Sequence, residues 1–152
     1  SSNTGTLTGV FTNGSLDYWI LKLNISGNIQ WQKLYGGAND EGFPRIQLTS
    51  DGGSIISGYS SSSNTGNLVG LINAGSLDIY ILKLDASGNI QWQKLYGGTL
   101  LEQPFGIRVL NDGSYIIAGN TSSSNSGTFS GLFNYGGSDI FLLRIDRNGK
   151  LY

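Results

Sequence analysis

Acid, base or ligand chemistry in this sequence falls to its ten Asp and Glu residues, because Cys, His and Met are all absent from its 152 positions. Without Cys or His there is no thiol nucleophile, no Ser-His-Asp triad, no zinc site of the Cys or His kind and no disulfide framework. Asp51 and Asp112 each precede a Gly between two apolar runs, the setting of a hairpin turn in which the carboxylate bonds its own backbone. Asp85 and Asp146 open a second type of turn, and Asn24 stands at the matching place earlier in the chain, a swap that turn chemistry tolerates and catalysis does not. The segment Asp85-x-Ser-Gly-Asn has the beginnings of a calcium loop, but its twelfth position is Tyr96 rather than Glu, so no metal is expected there. Asp17, Asp78 and Asp139 each precede an apolar run and are expected to accept from loop amides in buried or semi-buried positions, an ion or ligand contact being the alternative. Glu41 and Glu102 follow a double Gly and have the least obvious structural reason, which makes them candidate ligand contacts. Only Asp40 has no acidic copy, since Leu101 occupies the equivalent place, and the adjacent side chains of Asp40 and Glu41 diverge too readily to form an acid and base pair. The expectation is a protein without catalytic residues, cofactor or metal.

The aromatic residues offer a different chemistry. Trp31 and Trp92, with Tyr35 and Tyr96 four residues on, sit beside Asn, Asp and Gln, the company in which rings stack on sugar faces. Repeated shallow sites of this kind would suit a multivalent glycan binder. The competing reading, which the pattern favours, is that these rings pack one repeat on the next.

Whatever these residues do, their positions are set by a repeat. Shifting the chain by 61 residues aligns residues 1–61 with 62–122 at 35 positions without a gap, and SGNIQWQKLYGG (26–37) recurs unchanged at 87–98. Residues 123–152 then match 62–91 at 13 positions, so the chain is a single array of two units and half of a third. Within a unit the signals are those of strands. Residues 46–49 and the run from Ile55 flank Asp51-Gly52, a tight hairpin. A Ser, Asn and Gly-rich loop follows, too apolar at Leu7, Val10, Phe11, Leu68, Val69, Leu71, Ile72, Phe129, Leu132 and Phe133 for a plain linker, and expected to fold over an edge or offer an interaction surface. Residues 78–84 form the third strand, and after a turn at Gly88 residues 90–96 form the fourth. The third strand is apolar on both faces in all three copies, as a strand covered on both sides should be, and the fourth alternates. No window carries a helical period.

Four-stranded antiparallel units whose inner strands are sandwiched between neighbours describe β-propeller blades, about two and a half of them here; a β-solenoid is the alternative, though Asp-Gly hairpins do not belong in one. The residues Asp112-Gly-x-Tyr-Ile-Ile-x-Gly, Ser87-Gly-Asn-Ile-x-Trp-x-Lys-x-Tyr-Gly-Gly and the Gly-Ser-x-Asp before the third strand resemble the repeat arrays of bacterial secreted and surface β-propellers. That resemblance implies the fold and an extracellular or cell-surface setting, and it implies no activity.

Composition narrows the partners. Nine basic residues against ten acidic give a net charge of −1 with the basic residues scattered, so no nucleic-acid footprint is present. The longest apolar runs fall far short of the roughly 18 residues a spanning helix needs, so a soluble chain without membrane insertion is expected. The sequons at Asn13, Asn24 and Asn120 fall at unrelated places in the repeat, as chance would put them. The opening Ser1 suggests a trimmed product. Two and a half blades are too few for a ring, so the chain is expected either to self-associate by strand complementation, into a ring or a filament, or to be part of a larger propeller.

Overall fold

A computed structural model describes residues 10–152, which leaves the opening of the first unit, Leu7 included, outside the described residues. The described chain is all-β, with nine strands, two single turns of 3-10 helix and no α-helix. The strands are β1 (Tyr18–Leu23), β2 (Ile29–Tyr35), β3 (Glu41–Leu48), β4 (Ser54–Ser60), β5 (Asp78–Leu84), β6 (Ile90–Tyr96), β7 (Glu102–Val109), β8 (Tyr115–Thr121) and β9 (Asp139–Ile145). They form three antiparallel sheets in sequence order: β1-β2, then β3-β4-β5-β6, then β7-β8-β9. A single bridge from Ile145 to Leu151 begins a fourth strand on the last sheet. The second and third sheets therefore each combine the second half of one 61-residue unit with the first half of the next, while β1-β2 comes from the first half of the first unit alone.

Local chemistry explains the connections. At the hairpins Asp51 Oδ1 accepts from Gly53 N at 3.0 Å and Asp112 Oδ1 from Ser114 N at 2.9 Å, the structural role expected of both. In the turns between β1 and β2 and between β5 and β6, Asn24 Oδ1 and Asp85 Oδ1 each accept two backbone amides, and Asp146 does the same in the third copy. Gly88 closes its turn at φ 73°, a conformation that favours glycine.

Two strands depart from the expectation. β3 and β7 begin at Glu41 and Glu102, five residues before the apolar run, and carry Pro44 and Pro104 within them. Both are edge strands and both break register at the proline, between Gly42 and Arg45 and between Pro104 and Gly106. At a bulge on an edge the missing N–H leaves no ladder bond unmade, so a proline that reads as a strand boundary is carried inside the strand. β6 also lacks clean alternation: Ile90 is 36% exposed, while Gln93 turns inward to accept from Tyr80 Oη at 2.6 Å.

The core lies between the sheets. One cluster joins Tyr18, Ile20 and Tyr35 of the first sheet to Ile56, Tyr80, Leu82 and Leu84 of the second, with the Tyr18 and Tyr80 rings stacked at 5.5 Å. The other joins Ile55, Ile79, Ile81 and Tyr96 of the second to Ile107, Tyr115, Ile117, Phe141, Leu143 and Ile145 of the third. All seven residues of β5 are buried, the pattern expected of a strand covered on both faces. The loops after β4 and β8 fold over these junctions through their 3-10 turns, burying Leu68 and Phe129.

Candidate functional site

Three features recur at each junction between sheets. The first is an aromatic clamp. Trp31 Nε1 donates to Ala86 O at 3.0 Å, Tyr35 Oη to Gly88 O at 2.6 Å and Lys33 Nζ to Gly88 O at 3.0 Å, so β2 of one sheet grips the β5–β6 turn of the next. One repeat later Trp92 Nε1 donates to Arg147 O at 3.0 Å and Tyr96 Oη donates to Gly149 O. The glycine is needed on the receiving side: a Cβ on Gly88 would stand 2.9 Å from the Trp31 ring. The four candidate aromatics therefore each span two sheets, with burial holding the Tyr35 and Tyr96 phenols well above their usual pKa. Trp92 also lines an open groove of about 560 Å³ with Asp51, Lys83, Gln91, Asp112 and Tyr115.

The second feature is a corner of two glycines and two carboxylates. Gly97-Gly98 turns the chain from β6 into β7, where Glu102 Oε2 accepts from Gly98 N at 2.8 Å and Oε1 from Thr121 Oγ1 at 2.7 Å. Asp78, at the start of β5, accepts from Ala74 N at 2.9 Å through Oδ2, while its Oδ1 is buried with no hydrogen-bond partner. The same set recurs with Gly36-Gly37: Glu41 accepts from Gly37 N at 2.7 Å and Ser60 Oγ at 2.6 Å, and Asp17 accepts from Asn13 N at 2.7 Å and leaves Oδ1 unpartnered. Burial raises the pKa of Asp17 and Glu41, and raises that of Asp78 to about 6, with the negative charge of Glu102 adding to the effect. Glu41 and Glu102, at 2% and 0% exposure, lie inside the junctions, away from open surface. In both units an Asp precedes the double Gly by 19 residues and a Glu follows its second Gly by four, a spacing that marks the corner as repeated but does not show that the Glu is buried.

The third feature is what the outer sheets leave uncovered. Trp19, Leu21 and Leu23 on β1 are 40%, 36% and 49% exposed, although their counterparts Tyr80, Leu82 and Leu84 are fully buried. On β9, Ile140 and Leu142 are 80% and 72% exposed where Ile79 and Ile81 are at 0%. With Leu132, Phe133 and Tyr135 they line an apolar groove of about 490 Å³. Among the described residues, β1 pairs only with β2, and β9 has on its outer edge only the bridge to Leu151.

Asp40 and Glu41 do not form an acid and base pair: Glu41 is taken up by the corner, and Asp40 Oδ1 is a separate buried oxygen without a partner. No group of three or more acidic side chains converges as a metal site among the described residues, and no helix there is long and apolar enough to cross a membrane. The chain matches no known family model and no curated protein.

Proposed function

We propose that this chain is a non-catalytic interaction module of β-propeller-type blades, acting outside the cell or at its surface, whose outer faces are covered by further blades of the same kind. The observation that carries the reading is a pair of residues of the same type at the same place in the repeat. Ile107 on β7 is 5% exposed, because a complete sheet stands before it; Ile46 on β3 is 51% exposed, because only the two strands β1 and β2 do. The same apolar pattern is thus written for a neighbour at every unit, and the exposed faces of β1, β3 and β9 are the places where a neighbour is due. The faces are unlike, one the counterpart of Tyr80 and Leu82 and the other of Ile79 and Ile81, so contact between copies is head to tail. Head-to-tail contact closes into a ring or runs on as a filament, unless the units follow one another within a larger propeller.

Light scattering on the chain at micromolar concentration tests the reading. Assemblies larger than the 16.2 kDa chain that dissociate on Ile140→Lys with Leu142→Lys support it, whereas a stable monomer indifferent to those substitutions overturns self-association.

A glycan-binding reading is favoured by one observation, the half-buried Trp92 ring on the wall of the groove that also holds Asp51, Gln91 and Asp112. Glycan-array binding that disappears with Trp92→Ala would support it.

A further inference from the structure

We propose that each junction between sheets is a proton-binding site, in which the carboxyl of Asp78 shares one proton with that of Glu102, and Asp17 shares one with Glu41. Asp78 is 1% exposed, and its Oδ1 lies 2.2 Å from the point that a Cβ on Gly97 would occupy. Glu102 Oε2 lies 2.7 Å from that same point, so both oxygens border the space the glycine leaves. At the first junction Asp17 Oδ1 and Glu41 Oε2 stand 1.9 and 2.3 Å from the corresponding point at Gly36. Ionising both carboxylates at such a place is costly without a counter-charge, and none is supplied. The ion pairs among the described residues are Lys83 with Asp51 and Arg144 with Asp112, at the hairpins. The other groups turned to the Glu102 carboxylate are neutral, the Gly98 amide and the Thr121 hydroxyl. Around Glu41 they are the Gly37 amide, the Ser60 and Ser62 hydroxyls and the phenols of Tyr18 and Tyr80, which burial holds un-ionised, and around Asp78 they are the amides of Ala74 and Gly75.

A proton from solvent answers both the excess charge and the unpartnered oxygen. It converts Asp78 Oδ1 into a donor to Glu102 Oε2, which keeps its bond from the Gly98 amide. Asp78 leads into β5 of one sheet and Glu102 opens β7 of the next, so the shared proton joins neighbouring sheets. The third copy is an internal control. Asp139 accepts from Tyr135 N at 2.8 Å as Asp78 does from Ala74, but no described Glu stands opposite.

The sign of the pH dependence follows. The folded chain holds a proton at Asp78 up to about pH 6, whereas an unfolded Asp releases it near 3.8, so acidification from pH 8 to pH 5 favours the folded state. The opposite trend, from carboxylates held below their usual range at Asp51, Asp85, Asp112 and Asp146, sets in only as pH falls below about 4.

The test is thermal unfolding between pH 8 and pH 5 for the wild type, Asp78→Asn, Asp17→Asn with Asp78→Asn, and Asp139→Asn. The Asn amide imitates the protonated acid, donating to Glu102 while its oxygen keeps the Ala74 bond. We expect the wild-type midpoint to rise on acidification, Asp78→Asn to be more stable than wild type at pH 8 with a smaller rise, the double variant to show a nearly flat profile, and Asp139→Asn to follow the wild type. A wild-type midpoint that stays flat or falls, with Asp78→Asn destabilised at pH 8, overturns the proposal. So does a gain on adding calcium chloride at pH 8 that Asp78→Asn abolishes, which would make the site one for a cation. Should the variants fail to fold, the carboxyl-carbon NMR titration of the wild type decides: a midpoint near 6 at Asp78 upholds the proton, and an ordinary one removes it.

Discussion

β5 and its two copies, β1 and β9, are nearly the same strand in three surroundings. YWILKL, DIYILKL and DIFLLRI all pair antiparallel with a neighbour and all lead into the same Asn or Asp turn. β5 is buried at every residue, while β1 and β9 each hide one face and show the other. The hidden face of β1 is the one that meets the second sheet, and the hidden face of β9 is its opposite. Burial here is decided by what stands on either side, since the strand itself hardly changes. A strand apolar on both faces is consistent with its surroundings only in the middle position, and the surplus on the outer copies is the physical basis for expecting a neighbour there.

The largest effect that can break this comparison is cavity formation. Ile81 and Leu142 occupy the same repeat position at 0% and 72% exposure. Ile81→Ala should cost about 2–5 kcal/mol in chemical denaturation, whereas Leu142→Ala should stay within about 0.5 kcal/mol in the dissociated chain. Equal losses would mean that Leu142 is covered in solution, which would sharpen the case for an assembled state. Unequal losses at low concentration that converge as concentration rises would locate the cover in a second copy.

A middle-sized effect concerns the glycine corners. A Cβ at Gly97 would lie 2.2 Å from Asp78 Oδ1 and 2.4 Å from its Cγ, and Asp78 has no room to retreat. Gly136, which leads toward the outer sheet's last strand, has nothing within 4 Å. Gly97→Ala should therefore destabilise by about 1–3 kcal/mol through overpacking, and Gly136→Ala by no more than about 0.5 kcal/mol. A harmless Gly97→Ala, seen as an unchanged denaturation midpoint, would show that the corner is looser than its geometry.

How far the sequence carries this picture varies with the kind of signal. The strand runs at 78–84 and 90–96, the Asp-Gly hairpins and the two-faced burial of β5 follow from composition and period, because side-chain alternation and turn residues are local. The starts of β3 and β7 were not legible, since Pro44 and Pro104 mark a boundary by every local rule and only the bulge and edge position remove the cost. The burial of Glu41 and Glu102 was hidden for a related reason. A Glu after a double Gly reads as solvent-facing loop, and what covers it is a Ser or Thr 19 residues later and an Asp 24 residues earlier, brought together only by packing between sheets. The aromatic residues carried two readings because a half-buried indole looks the same in sequence whether it meets a sugar or a peptide turn. Their indole N–H and phenol groups are aimed at backbone carbonyls of the next sheet.

The smallest expected effect compares one ion pair in two sheets. Lys83 on β5 donates to Asp51 Oδ2 at 2.8 Å, to Leu84 O at 2.9 Å and to Gln91 Oε1 at 2.9 Å, with its side chain only 5% exposed. Arg144, its counterpart on β9, reaches Asp112 at 2.6 Å with both partners about half in water, at 46% and 51%. Hydrogen bonding from Lys83, the largest influence, and from Thr49 holds the Asp51 carboxyl well below its usual range. Exposed pairs gain little because water screens the attraction and the side chains lose freedom in forming them. The buried ammonium differs, since removing its counter-charge leaves a desolvated cation with only neutral acceptors. Asp51→Asn should thus lower stability by about 1 kcal/mol, an amount already reduced for the exposure of Asp51 itself. Asp112→Asn should leave the unfolding midpoint where it was. If covering the outer face of β9 buries Arg144 as β7 and β8 help to bury Lys83, the Asp112→Asn penalty should appear only in assembled material. A penalty for Asp112→Asn in the dissociated chain as large as that for Asp51→Asn would show that the two surroundings differ less than their exposure implies.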